Sequence, residues 1–222
     1  MVSSGAGRRG TGGTPFLLLA AFVTLPVLSG ALAAWSLRQE YATRVAERLL
    51  EDQTTILAVD GAPQLEVPRP PARFASARLL LADALYLARV ASQTSDRQQR
   101  DMLLARAHGE VTAALMQRPH WGEGWVTAAY VASLRQPSAE NLEREALVRS
   151  YSDAPYLHKT GFWRVERALG KWNELPPGTR GKVVDETAWL LRYGDLQNRA
   201  QLFALARQSP AYRPIFLRWR EL

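Results

Sequence analysis

The sequence predicts an all-α protein, with a single N-terminal transmembrane helix followed by a helical-hairpin (α-solenoid) domain. Three observations predict it. From Pro15 to Leu37 there is no charged residue, whereas charges recur every few positions from Arg38 onward. Beyond residue 75 apolar residues return every three or four positions, and nowhere do they alternate with the period of two that a strand requires. These stripes are similar in length and are separated by short runs of Pro, Gly and Ser, the pattern of helices joined by tight turns.

The first element is the uncharged stretch. Phe16 to Leu37 is 22 residues, and as a helix it would reach roughly 33 Å, enough for a hydrocarbon core of about 30 Å. Two readings of it stand side by side. Arg8 and Arg9 can head a cleavable signal peptide whose apolar region runs from Phe16 to Leu28, with Ala31-Leu32-Ala33 as a small-x-small site. Alternatively residues 15–37 stay in place as an uncleaved signal anchor, the reading favoured because Trp35 lies where an interfacial aromatic belongs and the helix runs on through Ser36 to Tyr41. A twin-arginine export signal is a third option, weakened by Gly10-Thr11 after the arginine pair. Arginines flank the stretch on both sides, so local charge does not set orientation. Signal peptide and anchor alike deliver the C-terminal bulk across the membrane, with the N-terminus cytoplasmic.

That placement agrees with the absence of Cys, because an exported chain gains nothing from unpaired thiols. Arginine outnumbers lysine 25 to 3, and with the abundant alanine this is the usage of a GC-rich bacterial genome. The expected location is therefore the bacterial inner membrane, single-pass, with a periplasmic C-terminal domain. Residues 1–14 read as a disordered tail of Gly, Ser and Thr. Residues 38–58 read as a juxtamembrane amphipathic helix with the stripe Leu37, Tyr41, Val45 and Leu49, and 59–75 as a linker with Pro63, Pro68, Pro70 and Pro71.

Residues 76–222 form the helical domain. Leu80, Ala84, Leu87, Ala88 and Ala91 make its first stripe, and Leu103, Ala107, Val111, Ala114 and Leu115 the second. Trp121, Trp125, Ala128, Ala129 and Ala132 mark a third helix; Leu142, Ala146 and Leu147 mark a fourth after the N-cap candidate Ser138. Phe162, Val165, Leu169 and Trp172 predict a fifth, ended by Pro176-Pro177, which opens a sixth carrying Val184, Thr187, Ala188 and Leu191 up to Gly194. Asp195 then caps a seventh whose stripe is Leu196, Ala200, Phe203 and Ala204, and Pro210 to Leu222 is a short basic end piece.

Ala107-x3-Val111-x2-Ala114-x4-Pro119, followed by Trp125 and Ala128-Ala129, resembles the second helix of one tetratricopeptide repeat and the first helix of the next. Pro155 lies 36 positions after Pro119, close to the family period, although Ala129 stands at the family glycine position and the loop at Gln93 to Arg97 looks enlarged. The resemblance covers about residues 100–172 and implies a groove that binds segments of other proteins. A second resemblance rests on Ala114-Leu115-x2-Arg118-Pro119-x-Trp121-Gly122-x2-Trp125, Lys171-Trp172-x2-Leu175 and Thr179-Arg180. These motifs look like small membrane-anchored, tetratricopeptide-like accessory proteins of bacterial exopolysaccharide and O-antigen loci. What this implies is a scaffold beside polymerase and export machinery, with integral membrane or periplasmic protein partners and no catalytic residues to carry over.

The residues themselves offer no catalytic motif. His108, His120 and His158 lie outside any metal-ligand spacing, there is no G-x-S-x-G elbow, and Gly122-x-Gly124 lacks the strand and lysine of a phosphate loop. Asp101, Glu110 and Glu166 read as solvated partners of nearby arginines. The expectation is a non-enzyme without cofactor or metal, with rival readings as a scaffold of secretion or division machinery, or as a periplasmic polysaccharide-binding protein or an enzyme with a dispersed site.

The binding candidates are Trp163, beside Phe162 and unable to share its helix face, and Arg213, Phe216, Arg218, Trp219 and Arg220 at the C-terminal end. An arginine and aromatic cluster of this kind suits a membrane lipid surface or an acidic polysaccharide as well as a protein, while the expected compartment removes nucleic acid.

Overall fold

The computed structural model describes residues 75–135, 139–194 and 196–222, together with scattered positions between 29 and 44. The chain divides into two units, Met1–Arg44 and Val45–Leu222. In the first, the described positions from Ser29 to Arg44 are helical, and Arg44 Nε donates to Glu40 Oε1 one turn back at 3.2 Å. The tail, most of the apolar stretch 15–37, most of the amphipathic segment 38–58, and the linker up to residue 74 lie outside the described residues. Among the described residues no helix is long and apolar enough to cross a membrane.

In the second unit the described residues form helices and no strands. Helix α1 (Ala77–Gln93) starts where the Ser76 hydroxyl accepts the Leu79 N–H at 3.3 Å. Its stripe is buried as the spacing requires, with Leu80, Leu87 and three alanines closed off from solvent. Helix α2 (Arg97–Gln117) starts where the Asp96 carboxylate accepts the Gln98 and Gln99 N–H groups at 2.8 and 3.1 Å. Only residues 94–96 separate these helices, so the enlarged loop expected there is a tight turn and α1 and α2 pack as an antiparallel hairpin.

Helices α3 (Gly122–Leu134) and α4 (Glu140–Asp153) form the second hairpin, and α3 also packs on both α1 and α2. The junction depends on two small residues. A side chain at Gly122 would collide with the Ala154 methyl, and one at Gly124 would stand 2.9 Å from Leu115 Cδ2. The glycine pair is thus a helix-packing device, consistent with its lack of phosphate-loop partners. Leu81, Leu87, Val111, Leu115 and Val131 fill the core of these hairpins.

The rest is built around helix α6 (Pro177–Tyr193), which contacts α4, α5 (Gly161–Gly170), α7 (Leu196–Gln208) and α8 (Tyr212–Glu221). Tyr151, Val165, Leu175, Val183, Leu202 and Ile215 make a second core there. Each large apolar side chain so buried contributes about 1.5–3 kcal/mol.

Four further expectations change. Helix α4 begins at Glu140 with Ala139 as N-cap, and Ser138 lies outside the described residues. Leu142 is 48% exposed instead of buried. Trp172 falls in a 3-10 turn, Trp172–Glu174, beyond the end of α5. The largest change is in α7, where Leu196 is 78% exposed and Ala200, Phe203 and Ala204 face solvent. Its core contacts are Leu202 and Ala206. The sequence of α7 holds two overlapping apolar stripes, and contact with α5, α6 and α8 selects the one that periodicity alone does not single out.

Candidate functional site

Trp163 is half-buried. Its ring meets Tyr130 edge to face, with centroids 5.5 Å apart and planes at 88°, and it packs on Ala129, Ala146 and Leu147. Its separation from Phe162 places the two rings in different cores, Phe162 against the α4–α8 cluster and Trp163 at the α3/α4/α5 seam.

The C-terminal candidates separate into two sets. Trp219 packs against the core and closes it with the fully buried Ile215. Arg218 Nε donates to Asp185 Oδ1 at 2.7 Å and its NH1 to Glu221 Oε2 at 3.1 Å, and these partners, Glu221 first, hold the guanidinium's proton more tightly than usual. Arg213 and Arg220 stay exposed, without a carboxylate partner among the described residues, beside a half-buried Phe216.

A feature with little trace in the sequence pattern lies under the α4–α5 connection. Arg164 and Glu186 form a salt bridge in which neither side chain touches solvent. Arg164 NH1 also donates to the carbonyls of Ser150 (3.1 Å) and Ala154 (2.8 Å), and NH2 to that of Pro155 (3.3 Å), so a cation sits where α4 leaves its last carbonyls open. The Glu186 carboxylate accepts the Leu157 N–H at 2.9 Å. The guanidinium lies over the Tyr151 ring, 4.1 Å from its centroid. Burial raises the Glu186 pKa, an effect that Arg164 opposes, and burial pushes the Tyr151 phenol well above its ordinary value. A second buried carboxylate, Glu143, takes Arg167 and Lys171.

The pair fixes the loop 154–160 against α6, and that loop carries Tyr156 and His158 next to Trp189. Tyr156 and Trp189 have centroids 5.6 Å apart, His158 meets Trp189 edge-on at 6.1 Å, and Tyr193 extends the row at 6.2 Å. Tyr156 and Tyr193 are largely exposed, so the result is an aromatic shelf next to a small recess lined by Lys159, Phe162 and Asn198.

A different surface opens where the two N-terminal hairpins meet. Val111, Leu115 and Met116 of α2, Trp125, Ala128 and Ala132 of α3, and Leu142 and Ala146 of α4 enclose an almost wholly apolar groove of about 400 Å³. Met116 is 81% exposed at its wall. Trp125 Nε1 donates to the Pro119 carbonyl at 2.8 Å, which satisfies the indole and leaves its apolar body to the groove. His108 and Glu145 stand on the rim; burial, then the charge of Arg135, lowers the His108 pKa and so favours the neutral imidazole. The sequence names Val111, Leu115 and Trp125 only as core residues, and the exposed Leu142 is the signal that its pattern concealed.

Among the described residues no group of three or more acidic or histidine side chains converges as a metal site. His120 is tied to Asp153 at 3.1 Å, and Asp101 and Glu110 lie on helix faces near Arg97 and Arg106. No protein-family model, curated protein or solved structure matches the chain.

Proposed function

We propose that the protein is a non-catalytic, membrane-anchored periplasmic scaffold that binds a protein partner in cell-envelope polysaccharide polymerisation or export. The observation that carries the binding reading is the open apolar groove between the two hairpins, with Met116 and Leu142 left in solvent. An exposed apolar groove rimmed by polar residues suits the apolar face of a partner helix, and a flexible methionine wall adapts to it. The tetratricopeptide-like reading is supported by three features. The hairpins are consecutive, Ala107 and Ala129 are completely buried at helix contacts, and Pro119 and Pro155 occupy corresponding connections after α2 and α4. The membrane anchor rests on the uncharged stretch 15–37 and the polysaccharide pathway on the sequence motifs.

The test replaces Met116 and Leu142 by Asp together. Expected is normal accumulation and helicity of the protein with loss of surface polymer and loss of the partner from affinity-purified membranes. Unchanged polymer and unchanged co-purification would remove the reading.

A second reading, polysaccharide binding, is favoured by one observation, the aromatic shelf of Tyr156, Trp189 and Tyr193. Flat, half-solvated rings beside Lys159 suit stacking on an acidic sugar chain. Tyr156→Ala with Tyr193→Ala would then abolish retardation of the protein in gels containing acidic polysaccharide, and equal retardation of both proteins rejects it.

A further inference from the structure

We infer that the outward face of α7 and α8 is a docking surface for an anionic lipid bilayer, separate from the groove and not dependent on it. At about 100° per residue, Leu196, Ala200, Phe203, Ala204 and Arg207 fall on one side of α7. All five are solvent-exposed, and none belongs to the core that Leu202 and Ala206 join. Gln201 and Gln208 lie on the other exposed flank, so α7 presents an apolar strip in water beside a polar one. The strip continues onto α8 through ring contacts, Phe203 to Tyr212 at 6.3 Å and Tyr212 to Phe216 at 6.0 Å. From there Arg213, Leu217 and Arg220 complete the face, Leu217 being 51% exposed.

Charge decides what fits this face. Residues 196–222 hold five arginines, 199, 207, 213, 218 and 220, against the single acid Glu221. Glu221 and Asp185 are both taken by Arg218, on the flank of α8 turned toward α6. Arg207, Arg213 and Arg220 therefore surround exposed Leu and Phe side chains with no neutralising carboxylate among the described residues. A bilayer of anionic phospholipid answers both the apolar strip and the arginines, headgroups taking the guanidinium groups while Leu196, Phe203 and Leu217 enter the interface. An acidic protein surface is the competing occupant, and the test separates the two.

The chain has no cysteine, so a single probe can be placed on the full-length protein. Leu217→Cys is labelled with an environment-sensitive fluorophore, and the protein is reconstituted in vesicles of phosphatidylcholine alone or with phosphatidylglycerol, each containing nitroxide-labelled lipid. The expected result is quenching at 217 only with phosphatidylglycerol, none at a Met102→Cys control on α2, and a loss of docking of about fivefold for each of Arg207, Arg213 and Arg220 replaced by Gln. Three results overturn the inference. They are a silent probe in anionic vesicles, equal quenching in neutral vesicles, and a signal at 217 that appears only on adding a purified partner protein.

Discussion

Arg164 is the residue on which the C-terminal half turns. A buried ion pair is weak evidence for stability in itself, but removing one partner leaves the other charge stranded. Arg164→Met is expected to cost about 3–5 kcal/mol in chemical denaturation. Adding Glu186→Leu should recover part of that loss, because it removes the stranded carboxylate, while the carbonyls of Ser150, Ala154 and Pro155 still lack their donor. Full recovery would mean that the pair does nothing for the loop. Tyr151 gives a pH signature. Its phenol holds its proton above the ordinary value of 10 in the folded state, so the unfolded chain ionises first and stability falls as pH rises beyond 10. Tyr151→Phe should flatten that alkaline decline in thermal melts, and an unchanged slope would assign it to other tyrosines. Gly122 is a third sensitive position. Gly122→Ala is expected to cost about 1–3 kcal/mol through overpacking against Ala154, with rescue by Ala154→Gly.

At the level of the helix, the instructive element is α7. Periodicity selects Leu196, Ala200, Phe203 and Ala204, a good amphipathic stripe, yet the helix buries Leu202 and Ala206. Local pattern cannot choose between two stripes in one helix, because the choice is made by the partners α7 finds in α5, α6 and α8. In α1 every residue of the predicted stripe is buried, and its neighbours Leu79, Leu81 and Ala82 are buried as well. The same reasoning explains the ion pairs. Arg164 and Glu186 are 22 positions apart on different helices, and no spacing rule joins them before the fold exists. The glycine pair could be seen but not interpreted, since Gly122 answers to Ala154, some thirty residues away, and Gly124 to Leu115 on the preceding helix. Leu202→Ala should therefore cost about 2–5 kcal/mol in denaturant titration. Leu196→Gln, by contrast, should stay within about 0.5 kcal/mol. Equal costs would return α7 to the orientation its sequence suggests.

For the whole molecule, we propose that the uncharged segment holds the evenly charged helical domain at a membrane, where the surfaces described above would act. The groove of the N-terminal hairpins, the shelf above the Arg164–Glu186 pair and the outward face of α7 and α8 are three distinct surfaces. Binding of a protein partner in the groove is the central claim, and cross-linking from inside the groove tests it most directly. With a photoreactive residue in place of Met116, irradiation of intact cells should give one discrete adduct, identified by mass spectrometry as a component of polysaccharide polymerisation or export machinery and lost when Leu142→Asp is added. Absence of any adduct, or an adduct that persists unchanged with Leu142→Asp, would contradict the account.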